Sequence, residues 1–153
     1  MMKSQALNQL FYSKIINIFL KKLFYNGQKS KSYTTFLKSL AIIQHLSINK
    51  TENPINVVLK AIENAKPFIE VQSIRIAGTT YRVPVEINET RQHSLAIKWL
   101  ITNARNRNEK TMAVKLAKEL YDTANNGNTN TLKKKEEIHK MAESSRPYIN
   151  YRW

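Results

Sequence analysis

Apolar residues recur at steps of three and four along most of the chain, the spacing typical of amphipathic helices. This pattern predicts six helices, at about 7–25, 32–47, 54–65, 91–106, 111–124 and 131–146. Asn26-Gly27 follows the first as a C-cap pair, and Asn53-Pro54 gives the third an N-cap and a proline at its first position. Pro147 is expected to stop the last helix near Ser145.

The apolar stripes also predict which side chains face inward. For the predicted second helix these are Phe36, Leu37, Leu40, Ile43 and Leu46, and for the predicted sixth helix Ile138, Met141, Ala142 and Ser145.

Between the third and fourth predicted helices the apolar period changes from that of a helix to that of a strand. Residues 68–76 and 81–87 are rich in β-branched and aromatic types, and Ala77-Gly78-Thr79-Thr80 separates them, which predicts a β-hairpin. Pro84 must lie in an edge strand, because it cannot donate a ladder hydrogen bond. A two-stranded ribbon is marginal alone in water, so we expect an arm that rests on helices at its base and on a partner at its tip.

These elements predict a mainly α fold class, a six-helix bundle-like domain with a protruding two-stranded β-hairpin between helices three and four. We expect residues 1–153 to form one domain, because no internal repeat or linker divides them.

Charge narrows the choice of partner. The 153 residues include 25 Lys or Arg and 11 Asp or Glu, a formal net charge of +14, and the first 51 residues contain eight lysines and no acid. Such a field indicates a polyanion partner. Nucleic acid is the first hypothesis, and a basic amphipathic helical module on an acidic membrane or protein surface is the alternative. The basic start resembles a transit peptide but lacks arginine, so we interpret it as the first helix.

Candidate chemistry is sparse. The absence of cysteine excludes disulfides and thiolate metal sites, and the three histidines have no companion at a ligand spacing. The sequence contains no glycine-rich phosphate loop and no nucleophile motif. We therefore expect a protein that is not an enzyme, with no metal, no other cofactor and no small-molecule substrate. The nucleic-acid hypothesis also predicts no membrane partner, in contrast to the alternative.

Basic residues, by contrast, form patterns. Arg91, Lys98 and Arg105 are spaced i, i+7 and i+14 on one face of the predicted fourth helix, and Arg107 and Lys110 continue the stripe. Residues 90–108 contain no acid, whereas an ordinary solvated face mixes both signs. This favours a face that follows phosphates.

Further cations lie at turns and helix ends. Arg75 and Arg82 flank the hairpin tip, and Lys29 and Lys31 form a basic turn. Lys133, Lys134 and Lys135 open the predicted sixth helix, where cations oppose the helix dipole unless an anion lies nearby.

The last eight residues, RPYINYRW (146–153), interleave arginines with aromatic rings. Stacking on unpaired bases with phosphate contacts is one interpretation. Packing of the rings on the protein itself is the other.

Four stretches resemble the small-subunit ribosomal protein S7 family, in its mitochondrial-encoded form. They are GTTYRVPVEI (78–87), RQHSLAIKWLITNARNR (91–107), MAVKLAKEL (112–120) and KKKEEIHKMAESSRPYINYRW (133–153). The resemblance implies a six-helix fold with a ribbon arm. It also implies binding to the 3′ major domain of small-subunit rRNA, nucleation of head assembly, neighbouring small-subunit proteins, and a position near the exit-site tRNA and mRNA exit path.

The same resemblance implies roles for individual residues. Those expected to contact rRNA are Lys29, Lys31, Arg75, Arg82, Arg91, Lys98, Arg105, Arg107, Lys110, Lys133, Lys134, Lys135, Arg146 and Arg152. Those expected near tRNA or mRNA are Gly78, Thr79, Thr80, Tyr148, Tyr151 and Trp153. Bacterial relatives continue beyond the position of Trp153 with a basic tail, so we expect its contacts to be absent or supplied by another protein.

Composition bears on the compartment. Ile, Asn and Lys, whose codons are A/T-rich, make up a third of the chain. We expect a protein of the mitochondrial matrix, within the small ribosomal subunit, with the plastid as the alternative.

Overall fold

A computed structural model describes residues 14–47 and 53–151. Helix α1 covers residues 14–23 of this range. The elements that follow are α2 (Lys29–Leu46), α3 (Pro54–Ala65), β1 (Ile69–Ile76), β2 (Thr79–Glu86), α4 (Glu89–Arg105), α5 (Met112–Ala124), α6 (Asn130–Ser144) and a 3-10 helix (Arg146–Tyr151). This order confirms the predicted mainly α fold with a hairpin between the third and fourth helices.

Side-chain caps fix several helix starts. The Ile55 N–H donates to the Asn53 side chain at 3.1 Å, with Pro54 in the first turn of α3 as predicted. Thr111 caps α5 and Thr129 caps α6, each through its hydroxyl. Helix α6 ends at Ser144, ahead of Pro147, which cannot continue an α-helix.

The first turn differs from the prediction. Helix α1 ends at residue 23, so Asn26-Gly27 is not its C-cap. The pair instead forms a two-residue turn in which the Gln28 N–H donates to the Tyr25 carbonyl at 3.1 Å. Asn26 and Gly27 both have positive φ, 49° and 75°, the arrangement of a type I′ turn. Residues 7–13 of the predicted first helix lie outside the described residues.

The apolar core lies between α1, α2, α3, α4 and α5. Phe19, Ile43, Ile62, Leu100 and Leu116 are fully buried representatives, one from each helix. Helix α5 makes contact with α2, α3 and α4 and is therefore central.

Helix α2 buries only part of the predicted face: Phe36 and Ile43 are buried and Leu40 is half-buried, as expected, but two leucines are not. Leu37 and Leu46 are 48% and 38% exposed, whereas Phe36, Ser39 and Ile43 are buried. The inward stripe runs through Ser39, whose hydroxyl donates to the Phe36 carbonyl at 2.7 Å and is thereby satisfied. Hydrophobicity alone could not identify this polar core position.

In the predicted sixth helix the inward face is only partly buried. Ala142 and Ser145 are buried as expected, while Ile138 and Met141 are half-buried.

The hairpin has a shorter loop than predicted. Ile76 pairs with Thr79, so only Ala77-Gly78 connects the strands and Thr79-Thr80 belong to β2. Ala77 and Gly78 have φ of 47° and 86°, again the pattern of a type I′ turn, whose twist matches that of paired strands.

The hairpin rests on the last elements of the described chain, at its base as expected and also nearer its tip, at Tyr81. Helix α6 packs on β1 and the 3-10 helix packs on β2. The Tyr81 ring lies 5.3 Å from the rings of both Tyr148 and Tyr151, measured between centroids. At the entry to β1, Phe68 stacks on His139 at 6.2 Å.

Candidate nucleic-acid interface

Helix α4 places three cations on its exposed side. Arg91, Lys98 and Arg105 are all exposed, while Ile97 and Leu100 on the opposite side are almost fully buried. Because that apolar side is packed in the core, α4 is a rigid support for its exposed cations. We call these three residues, together with Lys22, the α4 basic face.

Lys22 of α1 was not among the predicted site residues. Burial, followed by the positive charges of Lys98 and Arg91, lowers the pKa of the Lys22 ammonium. Lys22 therefore lies within the field of the α4 cations, and a phosphate placed there would relieve their mutual repulsion. In the sequence, the only signal for Lys22 was that the predicted first helix contains no acid. The position of Lys22 next to α4 depends on the tertiary fold and has no local signal.

The α4 basic face also holds a carboxylate that the acid-free run 90–108 did not predict. Glu70, from β1, accepts hydrogen bonds from Arg91 Nε and Nη2, both at 2.8 Å. Hydrogen bonds from Arg91 lower the pKa of Glu70 despite its partial burial, and the same bonds raise the pKa of Arg91. This bidentate pair ties the hairpin to α4, yet the Arg91 side chain remains 58% exposed.

Arg105 meets the turn that follows α1. Its guanidinium carbon lies 5.3 Å from the centroid of the Tyr25 ring. Lys31 and Arg105 line the same cleft, so two predicted rRNA contacts from distant parts of the sequence come together here. Lys29 is the first residue of α2, so Lys29 and Lys31 lie in the first turn of that helix and not in a basic turn before it as predicted; Lys29 is exposed.

Arg107 does not extend the exposed stripe. It donates to Glu119 and Asp122, both at 2.6 Å, and its side chain is only 20% exposed. Burial lowers the pKa of Arg107, but hydrogen bonds to Asp122 and Glu119 outweigh this effect and raise it. Arg107 thus joins the α4–α5 loop to α5 as an internal brace, while Lys110 remains exposed.

The three lysines of α6 divide in the same way. Lys133 and Lys134 are exposed, whereas Lys135 donates to the Asn64 carbonyl at 2.6 Å and lies 5.9 Å from the Phe68 ring centroid. Burial, followed by the charge of Lys66, lowers the pKa of Lys135. Because α6 begins at Asn130, these lysines do not open the helix as predicted. They lie beyond the first turn, and it is in the first turn that the helix dipole acts most strongly.

The exposed end of the arm carries both predicted arginines. Arg75 pairs with Thr80, and Ser73 pairs with Arg82, which places the two arginines on one face of the ribbon. Both are exposed, as are Gly78, Thr79 and Thr80.

The last described residues bear on the two interpretations of the aromatic segment. Tyr148 and Tyr151 pack on Tyr81 and on each other, which favours packing on the protein for these two rings. They keep 37% and 41% exposure. Arg146 is exposed, and Arg152 and Trp153 lie outside the described residues.

Residues 14–47 and 53–151 contain no group of metal-ligating side chains and no membrane-spanning helix. Within these ranges no three or more His, Asp or Glu side chains are grouped so that they could hold a metal ion. Over the same residues, the longest apolar helical stretches are too short or too polar to cross a bilayer.

The fold and the surface together define a class, a basic and mainly helical protein that presents cations on exposed helix faces and on a ribbon arm. Residues 2–146 match the family Ribosomal protein S7p/S5e, and the chain belongs to this family. The family consists of structural proteins, so the expectation that the chain is not an enzyme is confirmed.

Relatives of similar length support this assignment. The small ribosomal subunit protein uS7 of a Nitratiruptor species is 44% identical over 144 residues, which cover 94% of this chain and 90% of the relative. The proteins of the same name from a strain of Rhodopseudomonas palustris and a strain of Campylobacter concisus are also 44% identical over 144 residues, covering 94% of this chain and 89% and 90% of the relatives.

Proposed function

We propose that this chain is a structural protein of the small ribosomal subunit. In this proposal it binds the 3′ major domain of the rRNA, nucleates assembly of the head and borders the exit-site tRNA and the mRNA exit path. The family match over residues 2–146 carries the proposal. The names of the relatives, which place those proteins in the small ribosomal subunit, support it further.

The mechanism follows from where the cations are held. The α4 basic face, with Lys31 beside Arg105, would neutralise phosphates of a folded RNA junction, because its cations project from a rigid helix whose other side is buried. Lys133, Lys134 and Lys110 would extend this contact. Arg107 and Lys135 would act indirectly, since their hydrogen bonds hold the supporting elements together.

The arm would supply the second contact. Arg75 and Arg82 share one face of the ribbon, so they would touch rRNA together, while Gly78 at the tip would approach the tRNA. Pairing of Glu70 with Arg91 would set the angle between the arm and the α4 basic face.

We further propose a mitochondrial ribosome as the site of action, with the plastid as the alternative. The share of residues with A/T-rich codons supports an organellar or reduced genome. Detection of the protein in the small-subunit fraction of purified mitochondria, and not of plastids, is the expected result.

A binding series tests the main proposal. A transcript of the 3′ major domain should compete better than a scrambled RNA of the same length at physiological salt. Lys98→Ala should weaken binding and reduce the slope of log K against log salt by about 0.7–0.9, the loss of one phosphate contact. Lys60→Ala, which removes an exposed cation of α3, is the matched control and should leave the preference for the native fold intact.

Two outcomes would contradict the proposal. Equal competition by the scrambled RNA at every salt concentration would show that the protein binds RNA only as a general polycation. Binding to anionic liposomes, with indifference to RNA fold, would instead favour an acidic membrane surface as the partner.

A further inference from the structure

A small cleft lies where the α1–α2 turn, the start of α2 and the end of α4 meet. Its volume is about 360 Å³, at the lower end of the range for sites that hold small molecules. Tyr25, Gln28, Lys31, Arg105 and Met112 are among the residues that line it. Of the described residues that line the cleft, none is acidic.

We propose that this cleft binds one unpaired nucleotide of RNA, with the base stacked on the Tyr25 ring and the phosphate held by Lys31 and Arg105. The inference rests on the proposed function, because it takes RNA as the ligand. It adds a residue, Tyr25, and a mode of recognition, base stacking, that the basic residues alone do not provide.

The first support is the exposure of the ring. Tyr25 is 64% exposed, the most of any large hydrophobic or aromatic side chain among the described residues. Arg105 covers one face of the ring at 5.3 Å. The rest of the ring is open to the cleft and to solvent, as a stacking platform must be.

The second support is that hydrogen bonds hold the backbone that carries the ring before any ligand arrives. Tyr25 is the first residue of the type I′ turn through Asn26 and Gly27, and its carbonyl accepts the Gln28 N–H at 3.1 Å. The Ser32 hydroxyl then bonds back to the Leu23 and Gln28 carbonyls, at 3.5 Å and 3.2 Å, which ties the start of α2 to the end of α1. Because the backbone at Tyr25 is already ordered, base stacking has only the side chain of Tyr25 to immobilise.

The third support is the combination of chemistries. A guanidinium that lies over a ring keeps the N–H donors at its edge available to a phosphate. Lys31 adds a second cation from another element. A nucleotide offers both a planar ring and a phosphate and fits both parts, whereas a lipid head group offers only the phosphate.

Substitutions at residue 25 separate stacking from charge. Tyr25→Leu should weaken binding to a short oligoadenylate and to the 3′ major domain transcript by roughly fivefold to a hundredfold, the range for loss of one stacked base. The salt slope should stay unchanged, because stacking releases no counterions. Tyr25→Phe should bind as the wild type does.

Two matched variants complete the series. Tyr33→Leu removes an exposed tyrosine of α2 that does not line the cleft, and it should leave both affinities unchanged. Lys31→Ala should lower the salt slope by about 0.7 for the single-stranded oligoadenylate, which distinguishes the phosphate contact from the stacking contact.

A second measurement on the wild-type chain does not depend on how the variants fold. Ultraviolet cross-linking to oligoadenylate should attach nucleotide to the tryptic peptide 23–29, and a fully paired RNA duplex should not. No adduct on this peptide, or unchanged affinity of a folded Tyr25→Leu variant for both RNAs, would overturn the inference even if the transcript still outcompetes scrambled RNA. Equal competition by scrambled RNA with the Tyr25 effect retained would instead overturn the proposed function and leave the cleft as a general single-strand site.

Discussion

The helical core and the hairpin arm are built in opposite ways. In the core, α3 and α5 bury continuous apolar stripes, and residues such as Ala61, Leu116 and Leu120 have no exposed surface. In the two strands of the arm, only Val83 is buried. The arm is attached instead by separate contacts, of which the Tyr81 cluster, the pair between Glu70 and Arg91, and the stack of Phe68 on His139 are the main ones.

Geometry is therefore robust in the core and adjustable in the arm. Many packed side chains determine each helix position in the core, so the α4 cations sit on a support that no single contact controls. A few aromatic and polar contacts determine the angle of the arm. Changes in the core should therefore alter the whole fold, and changes at the arm should alter local order alone.

The largest effect is expected in the core. Leu116→Ala, at a fully buried position of α5, should lower the free energy of unfolding by about 2–5 kcal/mol. Chemical denaturation followed by far-ultraviolet circular dichroism measures this. Leu37→Ala is the control, since its side chain is 48% exposed, and it should change stability by about 0.5 kcal/mol or less. Equal losses in the two variants would contradict the observed orientation of α2.

A smaller and local effect is expected from the aromatic cluster. Tyr81→Ala removes both ring contacts at 5.3 Å and should cost about 1–3 kcal/mol, since each such pair contributes about 0.5–1.5 kcal/mol. Hydrogen exchange should become faster in both strands and in the 3-10 helix while α5 stays protected. Faster exchange in α5 would show that the arm and the core unfold together.

The tip of the arm gives an effect of the opposite sign. Ala77 has φ of 47°, a conformation that asparagine adopts more readily than alanine. Ala77→Asn should stabilise the hairpin by up to about 1 kcal/mol, and Gly78→Ala should destabilise it by a similar amount. No atom lies within 4 Å of a Cβ added at Gly78, so that loss would be conformational and not steric. Thermal melting of both variants checks the signs, and a stabilised Gly78→Ala variant would rule out this turn type.

The smallest effect concerns pH. Burial, followed by the charge of Lys135, lowers the pKa of His139, and Glu143 opposes this. The folded chain then binds the His139 proton less readily than the unfolded chain does. The contribution of His139 to the free energy of unfolding is therefore fully present above about pH 6.5, the ordinary histidine value. It should decline as the pH falls from there through the lowered pKa of the folded state. His139→Gln should remove part of this decline, measured as the free energy of unfolding between neutral and mildly acidic pH, and an unchanged slope would contradict it.

Elements with local signals could be predicted closely from the sequence. The bounds of α3 match the prediction, since Asn53, Pro54 and the position of Pro67 mark its ends directly. The predicted fifth helix, 111–124, likewise agrees with α5, in which Thr111 is the N-cap. The exposure of Leu37 was missed because a polar residue, Ser39, occupies the inward position.

The candidate site could be predicted only in part. The spacing of Arg91, Lys98 and Arg105 indicated an exposed basic side of α4, and the structure confirms that exposure. Pairing between Glu70 and Arg91, or between Tyr25 and Arg105, joins residues far apart in the sequence. No local period encodes such contacts, because they arise only when the arm and the first turn pack against α4.

The buried cluster around Arg107 constrains how this chain can diverge. Glu119 is 2% exposed and accepts a bond from Arg107 at one oxygen and from Thr131 at the other, each at 2.6 Å. A neutral apolar residue at position 119 would leave a guanidinium that is only 20% exposed without its innermost partner. A lysine at position 107 could not bridge both carboxylates in the same planar way. Divergence at positions 107 and 119 should therefore be concerted, and descendants of this sequence should exchange the two residues together or keep both.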